Sequence, residues 1–463
     1  MANRVLINVF DNDGIIDFAK NLAEKFDFEV VATDKSYDFI AESGINAQKF
    51  DWNNGDFDIV ICNFFPLAMY KNKDMDEAEI LKNFDTEGLS ILQKFAKKYD
   101  NTLVVTSPSQ YKSVETALKN GISDDFRKEF AKKAMFEICK VNSDLVKLFD
   151  EDNDYIFVSE AKTMNLAYGE NPHQKAELYT SDMLNYEVIA NREISYNNIL
   201  DINLATAIAS EFYDVNAAVI TRHAMPCAVA LGSSLEDAYS KAVDCDPVSA
   251  FGGVAAFSKK VDVKLAKMLT SMFLEVIIAP DFDEEALEML KEKNLKLIKI
   301  LTPLKDYKSY LTREIIKTPF GTLVQDVNDA ELAKNTFKVV SKKKPTAEMV
   351  EDMVFAWKVS KYTRSNSAVV VKDMRTVGIS QGQPNRIDAI DSALDKACEN
   401  SKDAVLATDG FISTIDGIYD AAQARIAGII QPAGSKRDKE VVAAVDKYEM
   451  TMITTGLRQF KNK

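Results

Sequence analysis

The chain has few of the residue types that mark several protein classes. Its 463 residues include only 17 glycines and 11 prolines, which argues against a collagenous or low-complexity chain. Its five cysteines are odd in number and form no Cys-x-x-Cys pair, which argues against a disulfide scaffold or a thiolate zinc site and favours a reducing, cytoplasmic compartment. The cysteines are Cys62, Cys139, Cys227, Cys245 and Cys398.

Long apolar runs are also missing. No stretch of about 20 apolar residues occurs, and residues 1–10 lack an apolar segment followed by a small-residue cleavage site, so we expect neither a membrane span nor an export signal. The 57 basic and 71 acidic side chains leave a net charge of −14, which opposes nonspecific adsorption to nucleic acid or anionic membranes. We therefore expect small-molecule partners rather than nucleic acid or a membrane.

Several catalytic signatures are absent too. There is no Walker lysine loop, no G-x-G-x-x-G after a first strand and no G-x-S-x-G elbow, so no motif supports nucleotide triphosphate binding, dinucleotide binding or α/β-hydrolase chemistry. The zinc-deaminase pattern needs His-x-Glu and Pro-Cys-x-x-Cys. Here His223 is followed by Ala224 and Met225, and Pro226-Cys227 has no second cysteine.

The chain does contain a regular alternation of short apolar runs and amphipathic segments. In the first part, the pattern predicts strands at 4–10, 29–33, 58–65 and 102–107 and helices at 14–26, 36–43 and 124–146. In the rest, it predicts strands at 218–221, 276–279, 368–371 and 428–431 and helices at 203–213, 236–243, 262–272, 284–293 and 348–359. Both parts are therefore predicted to be α/β, the first with a parallel sheet. The acidic stretch 150–154 indicates a domain boundary near Ser159, with a solvated loop inside one domain as the alternative.

Imidazole chemistry is restricted to two positions, His173 and His223. His173 lies in the turn-forming sequence YGENPHQ at 168–174, which favours a structural role. His223 follows Arg222 and the apolar run 217–220, at the predicted carboxyl end of a strand, where open α/β sheets bind ligands. For His223 a catalytic and a structural role are equally supported.

Three polar clusters are further candidates. They are Ser365-Asn366-Ser367 before a strand, the loop GISQGQPNR at 378–386, and TTGLR at 454–458. Asparagine both donates and accepts hydrogen bonds, and arginine presents a fork suited to carboxylate or phosphate. A helix cap or a surface arginine is the alternative for each cluster.

With these segments, the sequence resembles the AICAR transformylase/IMP cyclohydrolase family of purine biosynthesis over essentially its whole length. Motifs in the family's order are YGENPHQ (168–174), SYNNILD (195–201), RHAMPC (222–227), DPVSAFGG (246–253), EVIIAP (275–280), FAWK (355–358), IQPAGS (430–435) and TGLR (455–458). The resemblance implies a methylglyoxal-synthase-like, Rossmann-like domain at 1–158. It implies a transformylase domain of two cytidine-deaminase-like α/β subdomains at 159–463.

The resemblance also implies the chemistry and its residues. The transformylase moves a formyl group from 10-formyltetrahydrofolate, its co-substrate, to the amine of AICAR, without a metal and in sites shared across a homodimer. By position, His223 would take the proton of the attacking amine, with the adjacent Arg222 as part of the catalytic set. Asn366 would orient the formyl group. The implied substrate-binding residues are Tyr168, Gly169, Gln383, Arg386, Asp416 and Arg458, with Arg458 on the phosphate.

Departures from the family pattern are concentrated in the first domain. The family's RVKTLHP segment is absent, Asp34 stands in the small phosphate loop, and Asn12 and Phe65 replace a lysine and a tyrosine, although Asp85 and Lys97 remain. Because a carboxylate replaces anion-binding groups, we expect a scaffold without ring-closing activity.

The transformylase domain departs from the pattern as well. Arg222 replaces a lysine and Ala167 replaces a phosphate-binding arginine, and losing one charged hydrogen bond costs about 1.5–3 kcal/mol. Further family residues are lost at Thr414, Ile415 and Asn462. Two hypotheses stay open: a transformylase whose cyclohydrolase half has degenerated, and a noncatalytic nucleotide-binding or dimerising paralogue.

Overall fold

The computed structural model describes residues 3–53, 55–64, 75–150, 152–181, 184–189, 193–293, 295–332 and 336–462. The chain divides into two compact units, Met1–Glu160 and Ala161–Lys463. The boundary lies two residues after the one expected from the sequence, between residues 158 and 159. Among the described helices, none combines the length and the hydropathy needed to cross a bilayer.

The first unit is built on a parallel sheet with the strand order β3-β2-β1-β4-β5. The strands are β1 (Asn3–Asn8), β2 (Phe28–Ala32), β3 (Ala47–Lys49), β4 (Ile59–Cys62) and β5 (Leu103–Val105). The helices are α1 (Ile15–Phe26), α2 (Asp34–Glu42), α3 (Glu77–Asn83), α4 (Thr86–Ala96), α5 (Tyr111–Asn120) and α6 (Asp124–Phe149). The apolar runs of β1 and β4 are buried, as a sheet covered on both faces requires. The predicted parallel α/β arrangement is therefore confirmed.

Helix α1 shows how the sequence pattern produces this packing. Ile15, Phe18 and Leu22 recur at helical spacing, and all three are buried against the sheet. Gly14, with φ 65°, lets the chain turn from β1 into the helix, in a conformation that costs glycine little.

The second unit contains a long mixed sheet and two short hairpins. Its strands are β6 (Ala161–Leu166), β7 (Ala176–Thr180), β8 (Tyr186–Val188), β9 (Asn216–Arg222), β10 (Met225–Gly232), β11 (Val254–Phe257), β12 (Val276–Ala279), β13 (Lys296–Ile300), β14 (Arg313–Thr318), β15 (Gly321–Asp326), β16 (Lys338–Val339), β17 (Ala368–Lys372), β18 (Arg375–Ser380), β19 (Val405–Thr408), β20 (Gly428–Gln431) and β21 (Thr451–Thr454). Its helices are α7 (Tyr196–Ser210), α8 (Leu235–Cys245), α9 (Pro247–Ala250), α10 (Val263–Leu269), α11 (Glu284–Lys291), α12 (Ala347–Ser360), α13 (Arg386–Ala397), α14 (Asp416–Gln423) and α15 (Asp438–Lys447).

The long sheet is made of two halves with the same topology. Its order is β16-β21-β20-β19-β17-β18-β10-β9-β11-β12-β13-β8. In each half a helix leads into an antiparallel hairpin, β9–β10 or β17–β18, and three parallel strands follow. The halves join where β10 runs antiparallel to β18, with Ala230 opposite Arg375. This duplication agrees with the pair of subdomains that the family resemblance implies.

Alternating side chains place the helices on the two faces of the sheet. Val219 and Val369 face α7 and α12, whose buried side chains include Trp357, in a core that is continuous across the two halves. Their neighbours along the strands, such as Ile220 and Val370, point to the other face and belong to a separate core in each half.

Both hairpins turn through two residues in the left-handed conformation. We call them the His223 turn (His223-Ala224, φ 56° and 55°) and the Asp373 turn (Asp373-Met374, φ 52° and 55°). Such two-residue turns match the twist of antiparallel strands. The pattern did not predict either hairpin, and it placed the start of α7 at 203 instead of Tyr196. Ser195 and Asn198 form a capping box there, so the polar residues of SYNN begin the helix.

A buried ion pair links the ends of α7 and α12. The Glu211 carboxylate accepts from the Tyr362 hydroxyl at 2.7 Å and contacts the ammonium groups of Lys361 at 3.2 Å and Lys308 at 3.1 Å. Burial favours the neutral acid, but these three partners outweigh it and lower the pKa of Glu211. Burial also lowers the pKa of Lys361, although Glu211 opposes this shift.

We expect Glu211→Gln to destabilise the second unit by about 3–5 kcal/mol, because it leaves Lys361 buried without its counter-charge. Glu331→Gln is the matched control, since Glu331 contacts the same Lys308 at 3.6 Å but is 83% exposed, and we expect a loss below about 1 kcal/mol. Urea unfolding measures both effects through Trp357 fluorescence in a Trp52→Phe background. Equal losses from the two variants would contradict the prediction.

Candidate functional site

The His223 turn lies at the end of β9, where the sequence analysis placed His223. Asp201 of α7 accepts the backbone N–H of His223 at 3.2 Å and that of Ala224 at 2.9 Å. The His223 side chain is exposed. The backbone of the turn is therefore held from inside the unit while its imidazole faces solvent.

A pocket of about 120 Å³ opens beside this turn, with Arg222, His223, Cys227, Cys245, Asp246 and Gln381 in its lining. Burial raises the pKa of Cys227 to about 12 and that of Cys245 to about 11. Both thiols are therefore protonated at neutral pH. Arg222 donates to the Phe251 carbonyl at 2.8 Å, which fixes its guanidinium at the pocket.

Gln381 links the His223 turn to the segment that carries Asn366. Because β10 and β18 are antiparallel, the start of β10 lies beside the end of β18. The Gln381 side chain donates to the Pro226 carbonyl at 3.3 Å and accepts from the Arg364 backbone N–H at 3.3 Å. One edge of the sheet thus brings together the turn and the 364–367 segment.

Asn366 and Gln383 are in direct contact. Their backbones exchange hydrogen bonds at 3.1 and 3.2 Å, and the Asn366 side-chain amide donates to the carbonyls of Gln383 at 3.0 Å and Pro384 at 3.2 Å. The amide protons are therefore in use, and Oδ1 is the polar atom that Asn366 can offer a ligand. Because Oδ1 is an acceptor, it can bind an N–H group of a ligand but not a formyl oxygen, which needs a hydrogen-bond donor.

Arg386 is engaged with the protein. Its guanidinium donates to the Ser367 carbonyl at 2.9 Å and forms an ion pair with Asp409, whose side chain is fully buried. Asp409 also accepts from the Ser367 N–H at 2.9 Å and the Ser365 hydroxyl at 2.5 Å. Burial lowers the pKa of Arg386 to about 10, so it stays charged at neutral pH. Arg386 thereby holds the 365–367 segment in place.

The C-terminal segment brings a second arginine to the same region. The guanidinium carbon of Arg458 lies 4.3 Å from the centre of the Phe460 ring, and that of Arg386 lies 5.9 Å from it. The backbone of Lys461 exchanges hydrogen bonds with Ser365 at 2.8 and 3.0 Å. Unlike Arg386, Arg458 is exposed and is available to an anion.

Tyr168, Gly169 and Asp416 are placed differently. Tyr168 and Gly169 lie in the loop before α7, where the Tyr168 carbonyl accepts the Tyr196 N–H at 3.1 Å. A Cβ on Gly169 would approach Gln174 to 2.8 Å, so the loop requires glycine there. Asp416 begins α14 and is exposed. In the described ranges, no hydrogen bond or ion pair joins these three residues to the His223 turn or to Asn366.

Asp201, Gln381 and Asp409 hold this site together, although the sequence patterns predicted none of them as site residues. Asp201 and Gln381 lie inside the segments SYNNILD and GISQGQPNR, but a motif does not show which side chain faces which, and Asp409 lies outside every segment that the family resemblance rests on. Within the described part of the chain, no group of three or more His, Cys, Asp or Glu side chains is arranged to hold a metal ion.

The first unit has its own polar cluster, where the strand order reverses between β1 and β4. Asn8 donates to Asp85 at 2.7 Å and accepts from the Thr33 hydroxyl at 2.6 Å, and Lys35 contacts Asp85 at 3.0 Å. Among the described residues of this cluster, Lys35 is the only lysine. Its charge is neutralised by Asp85, whose side chain is 12% exposed.

Other residues of the first unit that the sequence analysis singled out lie outside this cluster. Asp34 is 85% exposed and pairs with Lys49 at 3.1 Å. Lys97 caps the opposite end of α4 from Asp85, about 18 Å away along the helix axis. Asn12 is exposed before α1, and Phe65 lies outside the described residues.

A family model described as "AICARFT/IMPCHase bienzyme" matches residues 95–396, more than half of the chain. The chain belongs to this family. The "Bifunctional purine biosynthesis protein PurH" of Clostridium botulinum (strain Kyoto / Type A2) is 36% identical over 512 positions, covering 100% of both chains. The protein of the same name from Fusobacterium nucleatum is 35% identical over 514 positions, again with 100% of both covered.

Membership makes this chain a divergent member of a bifunctional purine-biosynthesis family, which combines AICAR transformylase and IMP cyclohydrolase. The alignment with the Clostridium relative runs over 512 positions, whereas this chain has 463 residues. At least 49 aligned positions are therefore gaps in this chain. A solved structure described as "Crystal structure of ForH" is 17% identical with a TM-score of 0.29, covering 32% of this chain and 100% of its own. A likeness this weak carries no argument.

We expect Asp409→Asn to destabilise the second unit by about 3–5 kcal/mol, because Arg386 would be left buried without a counter-charge. Asp416→Asn is the control, since this exposed carboxylate at the start of α14 contributes less than about 1 kcal/mol. The same Trp357 fluorescence measurement compares them. If Asp409→Asn unfolded at the same urea concentration as the control, the role given to this ion pair would be wrong.

Proposed function

We propose that the second unit transfers a formyl group from 10-formyltetrahydrofolate to the 5-amino group of AICAR. Family membership supplies the reaction class, and the observation that carries the proposal is the Gln381 bridge between Pro226, just after the His223 turn, and Arg364, just before Asn366. Gln381 joins the two segments through hydrogen bonds of 3.3 Å on each side. The homodimer that the family resemblance implies is part of the same proposal.

The reaction requires a proton acceptor at the attacking amine. An amine on an aromatic ring is a weak nucleophile, and it must lose a proton as its nitrogen bonds to the formyl carbon and the carbon–N10 bond of the folate breaks. Imidazole is the side chain that ordinarily titrates nearest neutral pH, so His223 can take this proton and pass it to the leaving N10. Asn366 supports the same step, since its Oδ1 can accept an N–H of the amine and orient it.

Binding of the nucleotide rests on the cations that the fold leaves available. Arg458 is exposed and would hold the phosphate, and Arg222 places a fixed positive charge beside His223. We propose that Arg386 acts on the substrate through the Asn366 segment, which it positions with Asp409. Tyr168, Gly169, Gln383 and Asp416 complete the proposed substrate-binding set by family position.

We further propose that the first unit has lost IMP cyclohydrolase activity. Its position for an anion at the β1–β4 switch point is taken by the Lys35–Asp85 ion pair, with Asn8 bonded to the same carboxylate. A paired lysine attracts a phosphate weakly, because the carboxylate cancels its field.

His223→Ala is expected to lower the rate of tetrahydrofolate release from AICAR and 10-formyltetrahydrofolate by about 10²–10⁴-fold, as removal of a general base does. Asp373→Ala is the matched control, because it changes the equivalent left-handed turn of the other half and should leave the rate within about twofold. Equal rates for both variants would refute the role of His223. AICAR binding by the native chain without turnover would favour the noncatalytic alternative.

For the first unit, purified protein given formyl-AICAR is expected to form IMP no faster than the uncatalysed reaction. The control is the same preparation supplied with AICAR and 10-formyltetrahydrofolate, whose tetrahydrofolate release shows that the protein is folded and active. IMP formation above the uncatalysed rate, proportional to protein concentration, would show that the cyclohydrolase is retained.

A further inference from the structure

The second unit contains the same carboxylate-held turn twice, once with an imidazole and once without. Asp201 accepts both backbone N–H groups of the His223 turn, at 3.2 and 2.9 Å. Asp352, on the equivalent helix α12, accepts both N–H groups of the Asp373 turn, at 3.0 and 2.7 Å. Both turns have φ between 52° and 56° at their two residues.

The equivalence extends to the start of the strands. Asn216 donates its side-chain amide to the Ser233 carbonyl at 3.1 Å, as Asn366 does to the Gln383 carbonyl at 3.0 Å. The N–H of the next residue is bonded to the Ser258 hydroxyl in one half and to Asp409 in the other, each at 2.9 Å. Asn216 and Asn366 are 150 positions apart, as are His223 and Asp373, so the turns are equivalent residue by residue.

The carboxylate has a physical task in each turn. Neither turn contains glycine, and side chains other than glycine resist the left-handed conformation. A carboxylate that accepts two adjacent N–H groups stabilises that conformation through charge-assisted hydrogen bonds. Burial raises the pKa of Asp201 and of Asp352, while the two N–H bonds in each turn oppose that shift.

We infer that Asp201 is a positioning residue for His223. By accepting the two N–H groups that flank the His223 Cα, it fixes where the imidazole side chain begins and so how its nitrogen meets the amine. Asp352 does the same structural work for a turn that carries no imidazole. This inference rests on the proposed formyl transfer, and it assigns to Asp201 a role in the chemical step rather than in binding.

The duplication provides an internal control for this role. Asp201→Asn removes the charge and leaves one acceptor for two N–H groups, so we expect kcat to fall by about 10–100-fold, as small misplacements of a catalytic group do. The KM for AICAR should stay within about twofold, because Asp201 does not contact the nucleotide in this scheme. Asp352→Asn should lower thermal stability by a similar amount and leave both constants within about twofold.

A second measurement does not depend on activity. Because the chain has only two histidines, ¹⁵N-histidine labelling gives two backbone amide signals, and a His173→Gln variant assigns them. We expect Asp201→Asn to speed hydrogen exchange of the His223 amide by at least about tenfold, since its hydrogen bond is weakened. Asp352→Asn should leave that exchange rate unchanged.

The outcomes separate the inference from the proposed function. A fall in kcat confined to Asp201→Asn, with faster His223 amide exchange, supports the inference. Equal kcat effects from the two variants, or a change in KM alone, would overturn it. If the native chain transfers no formyl group, the proposed function fails, and the amide exchange alone decides whether Asp201 positions His223; unchanged exchange in Asp201→Asn overturns that claim.

Discussion

The candidate site depends on the antiparallel pairing of β10 with β18, the seam between the two halves of the long sheet. This pairing puts the turn at one end of β10 beside the loop that leaves β18, although they are more than 150 residues apart in sequence. Gln381 then bridges them with one amide side chain. Without this seam, each half would present only part of the polar groups that the chemistry needs.

A second constraint is how the fold distributes charge. The chain carries a net charge of −14, so its overall field repels anions. Anion binding therefore depends on local cations that no carboxylate neutralises. Arg386 is neutralised by Asp409 and Lys35 by Asp85, whereas Arg458 rests on an aromatic ring. The second unit thus keeps an available cation, Arg458, beside its candidate site. In the polar cluster of the first unit, Lys35 is instead paired with Asp85.

Sequence patterns predicted the regular elements well where burial sets the pattern. The strands at 276–279 and 428–431 have the predicted bounds, and helix α1 ends at the predicted Phe26. The two hairpins were not predicted because His-Ala and Asp-Met lack the Asn-Gly signal of a two-residue turn. Their conformation is supported by Asp201 and Asp352, carboxylates on preceding helices, which no local window contains.

By itself, the sequence determined the α/β class, the family and the inventory of reactive side chains, because these depend on local periodicity and on ordered motifs. It also showed that only two imidazoles exist. Tertiary structure alone decided which polar groups are free to act: Arg386 and Arg458 look alike in the sequence, yet one is buried against Asp409 and the other is exposed. The physical reason is that a charge's availability depends on partners brought close across non-adjacent strands, and sequence spacing does not encode those distances.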